Sequence, residues 1–114
     1  MATSADESPS TEQILLVFVS APADAAATLT QNLVAERLAA CVQLGPALRS
    51  VYRWHGKVEQ AEEVQLQIKT TRGNYSALQA HIRERHPYEL PEILAVDVTA
   101  ALPEYLQWIV DQTR

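Results

Sequence analysis

VYRWHGKVEQAEEVQLQIKTT, Val51–Thr71, is the stretch whose reading decides the fold. From Val64 it alternates: Val64, Leu66, Ile68 and Thr70 fall on one side, Gln65, Gln67, Lys69 and Thr71 on the other. Strict period-two alternation predicts a strand with one buried face. Upstream, Val51, Tyr52, Arg53 and Trp54 read as a second strand, rich in aromatic and β-branched residues. His55-Gly56 between them predicts a two-residue hairpin turn, because glycine accepts positive φ and histidine is among the residues enriched there. Glu59, Gln60, Glu62 and Glu63 interrupt the second arm near the turn. That end of a long hairpin is expected to project beyond the body of the domain.

Working outward toward the N-terminus, Ile14–Val19 (ILLVFV) is a continuous apolar run, expected of a central strand covered on both faces. Ser20-Ala21-Pro22 ends it. Asp24 is the predicted N-cap of a helix running through Ala40. Its stripe is Ala26, Leu29 and Leu33, widened by Val34 and Leu38, with the stem of Arg37 lying on the core. Cys41, Val42 and Leu44 resume a strand, and Gly45-Pro46 marks a bulge, an edge or a bend, since proline cannot donate to the ladder. Toward the C-terminus, Arg72-Gly73-Asn74 reads as a turn with Asn74 as the next N-cap. Tyr75, Leu78 and Ile82 face the core from a second helix, with His81 on its solvated side. Pro87 restricts His86 and ends that helix. His86–Glu92 is a loop stiffened by two prolines, Ile93–Val98 is the last core strand, and Pro103 opens a closing helix. Leu106, Ile109 and Val110 form the inner stripe of that helix, with Tyr105 and Trp108 alongside.

The order is β-α-β-β-α-β plus a terminal helix, an α+β arrangement that matches the split βαβ, ferredoxin-like pattern. Right-handed crossovers put both long helices on one face of an antiparallel sheet. At 114 residues the chain fits one domain, taken as residues 12–114 behind a disordered tail of residues 1–11. A net charge of -5 argues against nucleic acid and anionic membrane as partners, both of which call for a basic face. The single Cys41 excludes an intrachain disulfide and fits a reducing compartment. Its neighbours Ala39, Ala40 and Val42 predict a buried, inert thiol. No apolar run is long enough to span a bilayer, and MATSADESPS does not read as a signal peptide.

No G-x-S-x-G, P-loop, H-x-x-x-H or C-x-x-C is present, so no catalytic residue and no organic cofactor is expected. His86, at a helix end beside a rigid loop, reads either as a partner of the helix dipole or as a metal ligand or polar contact in a cleft. Tyr52, Trp54, Tyr88 and Trp108 are large aromatics outside the core stripes, whose default is core or subunit-interface packing. Glu59, Glu62 and Glu63 read as a solvated acidic face, with oxygen ligation of a hard cation as the functional alternative.

ERLAACVQL (Glu36–Leu44), the Val51–Thr71 stretch, HPYELPEILAVDV (His86–Val98) and YLQWI (Tyr105–Ile109) together resemble the CutA family of divalent-cation tolerance proteins, in register from about Gln13 to the end. Y-R-W-x-G-K-(V/I)-E and H-P-Y-E-x-P-E-I are specific in combination. The resemblance implies a ferredoxin-like fold, a homotrimer resembling PII signalling proteins, a cytoplasmic location, and a link to Cu(II) or another divalent cation. Family members with a copper site carry a cysteine near the end of the first strand and two adjacent histidines before Pro-Tyr. Here Val19 and Arg85 stand at two of those positions, so His86 is the metal residue carried over. The family's cleft aromatics and polar groups map onto Tyr52, Trp54, Lys69, Tyr88 and Glu92.

Three function classes are compatible with such a fold. A non-enzymatic, trimeric binding or regulatory module fits the missing catalytic groups. An acylphosphatase-like hydrolase needs an anion loop with an arginine after the first strand, where this chain has Ser20-Ala21-Pro22-Ala23. An RNA-recognition module needs exposed aromatics on the central strands and a basic surface, against which stand Gln65, Gln67 and the acidic balance. The hairpin carries too much apolar surface to stay wet, which predicts assembly by strand addition between subunits.

Overall fold

A computed structural model describes residues 12–114, so the expected tail over residues 1–11 lies outside the described residues. The elements follow as β1 (Ile14–Ala21), α1 (Ala23–Ala35), β2 (Cys41–Trp54), β3 (Lys57–Thr71), α2 (Arg72–Arg85), β4 (Ile93–Asp97) and α3 (Pro103–Gln112). They build a four-stranded antiparallel sheet of order β2-β3-β1-β4, the ferredoxin-like order predicted from the sequence.

The alternation in β3 resolves as expected. Leu66, Ile68 and Thr70 are fully buried and pack with Leu15, Val17 and Val19 of β1 against Leu29 and Leu33 of α1 and Leu78 and Ile82 of α2. Both long helices therefore lie on one face. The opposite face is only partly covered: Leu94 and Val96 of β4 stay half-exposed beside Leu16 and Phe18. Ile14 shares the parity of Leu16 and Phe18, but Ile109 and Val110 of α3 bury it, so α3 closes one end of that face. β4 is thus an exposed edge strand, not the core strand expected, because among the described residues no helix packs over its outer face.

α1 stops at Ala35, five residues short of the predicted Ala40. Arg37 takes φ 60, and the amides of Leu38 and Arg37 donate to the carbonyls of Leu33 and Val34. That pair of bonds is a Schellman cap, with an arginine where glycine is usual. The guanidinium, expected to leave its stem on the core, instead donates to the Gln112 carbonyl at the end of α3, 3.2 Å away. Leu38 tucks back against the core, whereas Val34 is left exposed. Neither predicted N-cap holds. Pro22 precedes α1, and Asp24 sits inside the first turn, accepting from the Ala25 amide. β3 runs straight into α2 through Thr71, with no intervening turn, and Asn74 bonds Thr71 and the Thr113 carbonyl instead.

The hairpin turns at His55 (φ 50) and Gly56 (φ 80), both left-handed as a type I′ turn requires. The register slips between Leu44 and Ala47, where Gly45-Pro46 makes the expected bulge. β1 pairs with β3 only as far as Val64, so among the described residues the hairpin is a two-stranded ribbon from Leu48↔Glu63 outward to Trp54↔Lys57. Its reach accounts for the elongated 55 × 29 × 24 Å shape.

Candidate functional site

The ribbon, from its root at Glu63 out to Trp54, and the loop after α2 border a cleft of about 780 Å³. Tyr52 and Trp54 of β2 form one wall. Pro87, Tyr88 and Leu90 form the other, and Ser20, Ser50, Glu63 and Glu92 line it as well. Four of the five residues expected to share a cleft are therefore brought together: Tyr52, Trp54, Tyr88 and Glu92. Lys69 is not. It lies on the open sheet face, between Cys41 and Leu16, and donates to Gln43 Oε1 at 2.6 Å.

The loop wall is fastened to β1 at both ends by one residue. Ser20, buried one position before the end of β1, accepts from His86 Nε2 on its carbonyl at 2.8 Å and donates its hydroxyl to Glu92 Oε1 at 3.2 Å. His86 Nδ1 accepts the Tyr88 amide at 3.1 Å, so the ring proton sits on Nε2 and both nitrogens are engaged by backbone. The imidazole therefore sets the path of the loop and turns Tyr88 into the cleft, their rings 4.8 Å apart. As placed, it has no lone pair free for a metal.

Glu63 is the residue that sequence reasoning missed. In sequence it reads with Glu59 and Glu62 as part of a solvated face, yet it is only 7% exposed. Glu63 shares the parity of Gln65 and Gln67, off the helix-covered face, and stands at the base of the ribbon, where the loop covers it. Ser50 Oγ donates to Glu63 Oε1 at 2.6 Å. Burial, and then the Glu63 carboxylate within hydrogen-bonding reach, push the Tyr88 hydroxyl up from 10.0 to about 12. Both favour the neutral phenol, which keeps Tyr88 a proton donor across the physiological range.

By residue type, Ser20, His86 and Glu92 look like a hydrolytic triad, but their connectivity is wrong for one. The imidazole meets the serine carbonyl rather than its hydroxyl, and the nitrogen that faces serine carries a proton. The imidazole is therefore no base for the hydroxyl, which donates to Glu92 Oε1 instead. A transition-metal site fits the donors no better. Val19 is buried and apolar, Arg85 is a cation, and among the described residues no three His, Cys, Asp or Glu side chains converge. Two further expectations need correcting. His81 is buried rather than solvated, with Nε2 unpartnered, because its side of α2 packs inward beside Leu78 and Ile82. Cys41 is half-buried rather than enclosed, since it opens an edge strand.

With this geometry in place, comparison with known proteins defines the class. Residues 15–112 match the family model of the CutA1 divalent ion tolerance protein. The divalent-cation tolerance protein CutA of Pectobacterium atrosepticum is 43% identical over 96 residues, covering 83% of this chain and 87% of that protein. The crystal structure of CutA from Xylella fastidiosa superposes with a TM-score of 0.87 at 43% identity, over 90% of this chain and 99% of that one. The chain belongs to the CutA family of divalent-cation tolerance proteins.

The same comparisons overturn the expected cytoplasmic location. A relative from Arabidopsis thaliana is named as chloroplastic; it is 37% identical over 96% of this chain and 60% of its own length. A CutA structure from Archaeoglobus fulgidus, 27% identical with a TM-score of 0.86 over 89% of this chain and 99% of that one, is described as periplasmic. The two relatives are thus named for two different compartments, so family membership does not carry the address. Among the described residues no helix is long and apolar enough to cross a membrane.

Proposed function

We propose that this chain acts in divalent-cation tolerance as a non-enzymatic, PII-like homotrimer that binds a small ligand in clefts at the subunit boundaries. The observation that carries the reading is the cleft itself. Three aromatics and three glutamates converge on it, and the imidazole beside it is paired with backbone rather than with a nucleophile. Support for assembly is the apolar surface left on one chain: Val51 and Val58 on the ribbon are more than half exposed, and Leu94 and Val96 leave the sheet face half-open. Monomeric proteins seldom expose such contiguous apolar surface.

The hydrolase alternative finds no support in the loop it would need. Pro22 alone joins β1 to α1, and the Asp24 carboxylate occupies the helix N-terminus where an anion would bind. Copper at His86 would require breaking a backbone bond to that ring, so this imidazole is not the source of the link to divalent-cation tolerance.

Growth of a strain lacking its own CutA on rising Cu(II) and Zn(II), complemented with wild type or Tyr88→Ala, tests the role of the cleft. Wild type should restore tolerance and the variant should not. Light scattering coupled to size exclusion tests assembly, and a monomer at micromolar concentration would sink the trimer.

A further inference from the structure

Glu63 poses a problem that the proposed cleft does not by itself resolve. Glutamates are almost never this buried without a counter-charge. Among the described residues, no Lys or Arg nitrogen forms an ion pair with Glu63 or with Glu92. Arg53 lines the cleft, yet it pairs with neither. Ser50 satisfies one carboxylate oxygen with a neutral hydroxyl, and the Tyr88 hydroxyl is held in its neutral form beside the other groups. The floor of the cleft is therefore negative and hydrogen-bonded but not neutralised.

The surroundings narrow the cation that would complete it. A hard divalent ion takes six or more oxygens, usually from several carboxylates, and no such group converges here. The walls are instead aromatic: Tyr52, Trp54 and Tyr88 all border the space. Ring faces attract an ammonium or guanidinium through their quadrupole, and do so best when the cation is weakly hydrated. A cleft of about 780 Å³ is also far larger than a bare ion needs and falls within the range of small-molecule sites.

We propose that this cleft binds a small organic cation, an alkylammonium or guanidinium compound, with its charge on Glu63 and Glu92 and its carbon skeleton against Tyr52, Trp54 and Tyr88. The inference rests on the cleft of the proposed function and names its ligand class. Ser20 and Ser50 position the two carboxylates. The hydroxyl of Tyr88 supplies a donor that discriminates ligands bearing an acceptor group.

Isothermal titration of the full chain at low ionic strength, with choline and agmatine as probes, is the test. Saturable binding of at least one probe is expected. Dimethylbutanol, the neutral carbon isostere of choline, should bind roughly tenfold weaker or worse, and Glu63→Gln should weaken the cationic probe by a similar factor. Arg53→Gln should tighten binding by removing a like charge. Light-scattering mass, measured on the same samples, separates the two readings. A trimer that binds neither cation at millimolar concentration overturns the ligand class while leaving the assembly standing. Equal binding to Glu63→Gln, or Mn(II) chloride binding in place of both amines, overturns it as well. Should Glu63→Gln dissociate the trimer without amine binding in wild type, the carboxylate belongs to a subunit contact and the proposal fails. Glu92→Gln and Tyr88→Phe repeat the measurement if the first variant does not fold.

Discussion

The two halves of the hairpin obey different physics. From Val64 inward β3 has β1 on one side and β2 on the other, and helices cover its inner face, so Leu66 and Ile68 are fully buried. From Glu63 outward the same strand has β2 alone, and Val58 is 65% exposed. The inner half is a folded core by itself. The outer half is a twisted ribbon of a kind that is marginal in water. The cleft opens where one becomes the other and runs out along the ribbon to Trp54.

Trp54→Ala should have the largest effect. The ring is 36% exposed in one chain, so its own fold gains little from it. If the ribbon is covered on assembly, the substitution removes a buried aromatic three times over, about 3–5 kcal/mol per subunit. Concentration-dependent thermal melts measure this, and a variant trimer as heat-resistant as wild type would show the ribbon to be wet. Leu66→Ala comes next, at about 3 kcal/mol, read by denaturant unfolding. This loss belongs to the inner half and should be independent of protein concentration, unlike the first.

His81→Leu sharpens the same contrast in the opposite direction. Its Nε2 is buried without a partner, so an apolar replacement of similar size should raise stability by about 1 kcal/mol. A loss instead would mean that the ring finds a partner in the assembly. The smallest effect concerns Tyr88. Its folded-state hydroxyl titrates near 12 rather than 10.0, raised first by burial and then by Glu63. The folded state thus holds this proton more tightly, and the resulting stabilisation is complete below pH 10 and fades as the pH climbs toward 12. Ultraviolet titration should show the Tyr88 phenol ionising late, and Glu63→Gln should move it down without restoring it to 10.0, since burial remains.

Local sterics and periodicity were enough to read the element order, the inward face of β3, the left-handed turn at His55-Gly56 and the end of α2 before Pro87. Each depends on residues within a few positions of one another, which is why a linear pattern records it. The motif resemblance likewise gathered Tyr52, Trp54, Tyr88 and Glu92. Long-range contacts decided the rest. After α1 ends at Ala35, the Arg37 side chain reaches the end of α3, 75 residues away. His86 is a fastener of the loop because Ser20, 66 residues earlier, presents its carbonyl to the ring. Glu63 looks like any surface glutamate among Glu59 and Glu62, and only the loop from Pro87 to Glu92, packed over the root of the ribbon, takes it out of water. A charge in sequence becomes a site when distant backbone removes its solvent, and no local period encodes that.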